Sequence, residues 1–305
     1  MTAAGWTRRL PWVAVEVLES IYQHRLLSTV QVHAIHTPDA SRRWTQRLLG
    51  ELAGSGLLDV ARGPRTVGVW FVTEAGAAAV EQVTSRTEPR RKLITPAQAA
   101  GQLQAHTLAV NEVGIAYLHA ARQRGDEFGP LSWRHEIAHT IGTAPGRRGS
   151  TEQVIADALI SYLAADADAV TQHQRFLELD RGTMPVEALL GKLRGYQRLR
   201  DYTPPPGGRH GGAPEPAWRT WYPSGLPAVQ LVFAGKPRPQ LERRAQLLLA
   251  LRAADPALRG DRTLRVQLTL LEDLSRHGPF APIWLRAEDP TARVDWLGKP
   301  KGARR

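Results

Sequence analysis

Between Leu10 and Val83, three apolar stripes at helical spacing are followed by two short alternating runs, an order that leaves few folds open. Leu10, Val13, Val17, Leu18 and Ile21 fall on one face of a first helix. In RLLSTVQVHAIH, Ser28 or Thr29 is placed to cap a short second helix carrying Val30, Val32 and Ile35. TPDASRRWTQRLLGELAGSGLL predicts a third helix, opened at Pro38-Asp39 and closed by Gly54 and Gly56. Its apolar side carries Leu48, Leu49 and Leu52, and its other side Arg42, Arg43 and Arg47 with Trp44 beside them. LLDVARG and TVGVWFVT then alternate as two strands around Gly63-Pro64-Arg65, and Thr73-Glu74 opens another helix.

This series reads as a helix-turn-helix followed by a two-stranded wing, a winged helix. In that module the third helix enters the major groove and the wing tip meets the backbone. Arg42, Arg43, Trp44 and Arg47 are then the expected DNA-contacting residues on the helix, with Arg62 and Arg65 reaching neighbouring phosphates from the wing. Arginines on an exposed helix face are also compatible with plain solvation, and such modules also mediate protein contacts. Charge bears on the choice: 40 Lys+Arg stand against 29 Asp+Glu, a net +11 that attracts polyanions. The expected partner is double-stranded DNA.

No cysteine occurs, which excludes disulfides and thiolate metal sites. The N-terminal residues lack the apolar core and cleavage site of a signal peptide, and no apolar run approaches the ~20 residues of a membrane span. A soluble, cytoplasmic protein is expected. Its predicted organisation is a winged helix over 1–86, a linker over 87–97, a second domain over 98–286 and a basic, poorly ordered tail over 287–305.

The second domain predicts a helix in QAHTLAVNEVGIAYLHAARQRG, then strands in LSWRHEIAHTIG, VIADALISYL and RFLELDRGT. A helix over PVEALLGKLRGYQRLRDY follows, opened by Thr183-Met184-Pro185; then come a Pro/Gly insertion, a strand, a helix and a strand. That order gives an α+β or α/β fold, a mixed sheet flanked by helices. Asp157 interrupts an otherwise apolar strand, and Glu178 and Asp180 lie two apart on one side of another. Carboxylates so placed are costly unless paired or bound to metal. Asp157 and Glu178 on adjacent strands are placed to chelate Mg²⁺, which would activate a water against a phosphodiester. A nearby lysine would steady the negative transition state. Lys192 and Tyr196 are i, i+4 neighbours on the following helix. Structural ion pairs with Arg181 and Lys192 are the alternative for these acids.

The stretches HTLAVNEV, WRHE, ADAL and above all FLELDRGTMPVEALLGKLRGY resemble the plasmid replication-relaxation family. With the winged helix they span most of residues 10–200. That family joins a winged helix to a domain resembling the PD-(D/E)xK, or restriction-endonuclease-like, nucleases. The resemblance implies a role in plasmid or mobile-element replication, DNA relaxation or transfer; a second copy of the chain or a replication or transfer protein is a further candidate partner. It puts Asp157 at the metal-binding aspartate position and Glu178 at the glutamate. One departure stands out: Asp180 occupies the place expected for lysine. Either Lys192 reaches over the site from the helix, or Arg181 substitutes, or Asp180 is a third metal carboxylate, or the site is inactive. Glu112 and Glu136 are further candidate ligands.

Two other motifs compete with this reading. HEIAH, residues 135–139, matches the H-E-x-x-H of zinc proteases, which needs a helix to bring both histidines to one metal. Leu131, Trp133, His135, Ile137, His139 and Ile141 alternate instead, as in a strand, where residues four apart stand roughly 13 Å from each other. Tyr196 is a candidate for a covalent phosphotyrosyl link, but the His-hydrophobic-His cluster of familiar relaxases is missing. The favoured expectation is a DNA-processing protein that nicks with Mg²⁺. Its rival is a non-catalytic replication factor or regulator whose nuclease-like domain serves as a scaffold.

Overall fold

The computed structural model describes residues 11–61, 68–84, 93–99, 101–143, 151–165, 169–204 and 215–300. The chain divides into two compact units, Met1–Leu118 with Gly129–Leu131, and His119–Phe128 with Ser132–Arg305. Among the described residues no helix is long and apolar enough to cross a membrane.

The first unit runs α1 (Trp12–His24), β1 (Leu27–Ser28), α2 (Thr29–His36), α3 (Arg42–Gly54), β2 (Leu58–Ala61), β3 (Val69–Val72), α4 (Glu74–Thr84) and α5 (Pro96–Ala99). It also takes most of α6 (Gln102–Arg124), whose last turns belong to the second unit. Of the two predicted caps for α2, Ser28 is the one used. Its hydroxyl accepts from Gln31 N, and the Gln31 side chain accepts from Ser28 N, a full capping box. Helix α3 starts at Arg42 and not at Pro38-Asp39. The Ser41 hydroxyl accepts from Trp44 N at 3.2 Å, while the preceding residues close a turn through Ala40 N and Thr37 O. The three short strands form an antiparallel sheet in the order β1-β3-β2. Val17, Leu18, Ile21, Val32, Ile35, Leu48, Leu49 and Leu52 are all buried, as their helical spacing predicts, whereas Val30 of α2 is exposed.

The second unit contains β4 (Trp133–Thr143), β5 (Thr151–Ala165), β6 (Val170–Asp180), α7 (Val186–Asp201), α8 (Trp218–Trp221), β7 (Ala228–Phe233) and α9 (Arg238–Ala254). It ends with β8 (Val266–Leu270), α10 (Leu271–His277), β9 (Trp284–Arg286) and β10 (Asp289–Val294). One seven-stranded sheet has the order β10-β9-β8-β7-β6-β5-β4. Strands β6, β7 and β8 run parallel and the outer pairs antiparallel, so the sheet is mixed. The parallel pairs need crossovers, which α7 and α9 supply. Leu189, Leu193 and Tyr196 of α7 and Leu241 and Leu248 of α9 pack with Phe176, Val229, Leu231 and Phe233 in one core. A second cluster is aromatic: Phe128 stacks on Trp133, and Tyr162 meets Trp296 edge-on at 5.0 Å.

Two readings from sequence are corrected here. Pro185 is the N-cap of α7 and not its first helical residue, because its ψ of 149° is extended. The stretch after Arg286 is no loose tail up to Pro300. Asp289–Val294 pairs with β9, and Trp296 is fully buried with its backbone N bonded to Pro279 O at 3.0 Å. A tryptophan of that size gains enough from burial to hold a short charged strand at the sheet edge.

Candidate functional site

Two surfaces bear on function, one in each unit. In the first unit, the turn between α2 and α3 is fixed by side chains. Thr37 and Thr45 share a hydrogen bond of 2.7 Å, and Thr45 bonds His33 Nδ1 at 3.0 Å. From the sheet, Trp70 Nε1 donates to Thr29 Oγ1 at 2.9 Å, tying β3 to the start of α2. Helix α3 thus has a held apolar face, and its opposite face is open. Arg42, Arg43, Trp44 and Arg47 are all exposed there, together with Gln46. Arg62 and Arg65 lie outside the described residues.

In the second unit, β5 and β6 pair from Ala165↔Val170 to Ala158↔Leu177, and the ladder stops there although both strands continue. The next residues are Asp157 and Glu178. Asp157 Oδ2 accepts from the backbone N of Leu179 at 2.8 Å, so a side chain takes over where the ladder ends. Lys192 and Tyr196, one turn apart on α7, reach the same place. Lys192 Nζ bridges Asp157 Oδ1, at 3.2 Å, and Glu178 Oε2. Tyr196 donates its hydroxyl hydrogen to Glu178 Oε1 and stacks on Phe176 with ring centroids 5.1 Å apart. The expected convergence of Asp157, Glu178 and Lys192 is therefore present.

Burial dominates the electrostatics. Glu178 is 1% exposed, and its pKa is pushed up to about 8, first by desolvation and then by the Asp157 charge. Lys192 and Tyr196 pull it back only in part. Burial opposes the charge on Lys192, yet the carboxylates of Glu178 and Asp157 raise its pKa. The Tyr196 phenol is held well above its usual range, by burial and by Glu178. A phenol this buried and this weakly acidic is a packing and positioning group, not an accessible nucleophile.

Asp180 does not join the cluster. It is 1% exposed, forms an ion pair with Arg244 of α9, and accepts from Gly182 N at 3.0 Å. The alternation that puts it on the Glu178 side of the sheet is correct, but α9 claims it instead of α7. Glu112 belongs to the first unit, where it accepts from Gln31 Nε2 at 2.7 Å. Glu136 is exposed, with a left-handed φ of 54° in β4. His135 and His139 both lie in β4, and His139 Nε2 meets the Tyr222 hydroxyl at 2.7 Å. An extended strand cannot close both imidazoles on one zinc.

These contacts test the fit of a hard divalent cation. Such an ion takes about six oxygens. Here each oxygen of Asp157 and of Glu178 already accepts a hydrogen bond, and Asp180 is engaged by Arg244. Among the described residues no group of three His, Cys, Asp or Glu side chains is arranged to hold a metal. Mg²⁺ at this place would have to compete with the hydrogen bonds that these oxygens now accept. A lysine ammonium occupies the position between the two acids that a cation would need.

Sequence reasoning missed Arg244, because nothing in its own helix marks it as the partner of a carboxylate 64 residues earlier.

Comparison with known proteins places residues 18–215 in the family described as replication-relaxation. Among curated proteins no match is found. Among solved structures, the chain is similar to a mutant MarR from E. coli complexed with operator DNA. That match has 19% identity and a TM-score of 0.24, and it covers 39% of this chain and 77% of the other.

Proposed function

Because the chain belongs to the replication-relaxation family, we propose that it is a plasmid or mobile-element DNA-processing protein that docks on duplex DNA through a winged helix. The module comprises α1, α2 and α3 with β2 and β3. One observation carries the reading: Arg42, Arg43, Trp44 and Arg47 stand exposed on a helix whose other face is buried through Leu48, Leu49 and Leu52. Guanidinium groups on a rigid helix that fits the major groove can grip phosphates and guanine edges together.

The meeting of Asp157, Glu178 and Lys192 at the parting of β5 and β6 supports kinship of the second unit with PD-(D/E)xK nucleases. The engagement of every oxygen of the two acids supports a member without hydrolytic activity, whose acids and lysine hold the sheet to α7. Lys192 then pairs with Asp157 and bonds Glu178, and does not assist a leaving group.

Two assays on the full chain test this. Fluorescence anisotropy with duplex DNA should show binding. Supercoiled plasmid incubated with Mg²⁺ should stay supercoiled; nicking that Asp157→Ala abolishes would overturn the non-catalytic assignment.

A further inference from the structure

The two ends of the parallel strands differ in chemistry. Carboxylates gather at the C-terminal end of β6, and arginines towards the N-terminal ends of β7 and β8. Arg175 pairs with Ala228, the first residue of β7, and Arg265, just before β8, accepts from Val229 N through its carbonyl at 2.9 Å. Arg175 and Glu178 are an odd number of positions apart, which puts the two on opposite faces of the sheet.

On the Arg175 side lies a cavity of ≈ 780 Å³. That is within the roughly 300–1,000 Å³ of small-molecule sites. Four guanidinium groups line it, from Arg175, Arg262, Arg265 and Arg286. Two carboxylates, of Glu288 and Asp289, also line it; Asp289 has a cationic partner, whereas Glu288 is bonded only through Oε1 and its Oε2 is buried without a hydrogen-bond partner among the described residues. Asp289 pairs with Arg286 at 2.9 Å, and Glu288 Oε1 accepts from Val266 N at 3.3 Å. Arg262 and Arg265 are exposed and have no carboxylate partner among the described residues. A smaller concavity of ≈ 150 Å³ continues past Arg175 and Arg265 to His173.

Arg175 is held in place and is only 6% exposed. Its carbon Cζ lies 4.9 Å over the Trp296 ring, and it donates to Gln174 O at 2.8 Å and to Trp296 O at 3.3 Å. A buried, oriented positive charge at the floor, with two uncompensated guanidinium forks at the rim, is a site for phosphate oxygens. His173 reports the same field: burial, then the charges of Arg175, Arg265 and Lys299, hold its pKa down.

We propose that this cavity binds a nucleoside phosphate, with Arg262 and Arg265 gripping the phosphate oxygens and Arg175 supplying fixed positive charge beneath them. The volume exceeds what a bare inorganic anion needs and leaves room for a nucleotide. The same chemistry is offered by a free nucleoside triphosphate and by the 5′-phosphate of a DNA strand end. This inference is independent of the α3 docking surface.

The test is calorimetric titration of the full chain with ATP, and with a short single-stranded oligonucleotide carrying either a 5′-phosphate or a 5′-hydroxyl. Saturable ATP binding with no preference for the 5′-phosphorylated strand identifies a free nucleotide as ligand. Tighter binding of the 5′-phosphorylated strand, with or without ATP binding, identifies the strand end. In either case the exposed pair Arg262→Glu/Arg265→Glu should weaken binding at least tenfold. No binding of ATP and no preference for the 5′-phosphate overturns the proposal. So does binding that Arg262→Glu/Arg265→Glu leaves intact.

Discussion

Asp157 of β5 accepts a hydrogen bond from the backbone N of Leu179 on β6, 2.8 Å away, where the ladder between the two strands has just ended. A carboxylate that replaces a ladder bond is part of the sheet. Lys192 then ties that carboxylate to Glu178 and to α7.

The buried glutamate gives the fold an acid-side preference. The folded pKa of Glu178 is about 8 against an ordinary 4.5, so between these values the folded state binds more protons than the unfolded one. Its contribution is greatest below about 4.5 and is lost as pH rises through about 8. Urea denaturation of wild type and Glu178→Gln should show wild type losing on the order of a few kcal/mol relative to the variant across that window. A difference that does not change with pH would contradict the buried, desolvated carboxyl.

Asp180 gives a separate expectation. It is almost fully buried against Arg244, whose side chain is 15% exposed. Arg244→Met leaves an unpaired buried carboxylate and should lose about 3 kcal/mol, measured by urea denaturation at pH 7. Asp180→Asn/Arg244→Met should lose clearly less. Equal losses would mean that the pair is not the source of the cost.

Gly76, in the first turn of α4, sits against the backbone of Leu57, and a Cβ there would overlap the Leu57 carbonyl oxygen. Gly76→Ala should lower the stability of the first unit by roughly 2–3 kcal/mol, read as a lower Tm. An unchanged Tm would contradict this close approach of α4 to the segment that follows α3.

Much of this is legible in the sequence. Helical spacing marks Leu48, Leu49 and Leu52 as the buried side of α3, which leaves Arg42, Arg43 and Arg47 outside. The isolated acid Asp157 and the alternating Glu178 point to a shared place because an apolar strand tolerates a carboxylate only with a partner. What distant residues decide is not legible. Asp180 has the spacing of Glu178, but its fate is set by Arg244 on another helix. The chain after Arg286 is rich in charge and proline, so its pattern gives no strand; the burial of Trp296 against Tyr162 and Phe280 makes one. The arginine cavity draws on residues from Arg175 to Gly298 and leaves no local motif.

The most direct test of the central claim is the salt dependence of duplex binding by wild type and by Arg42→Glu/Arg43→Glu/Arg47→Glu. Each phosphate contact adds about 0.9 to the slope of log K against log salt. The variant should bind at least tenfold more weakly, with a slope shallower by about two to three. Equal affinity and equal slope would contradict docking through α3.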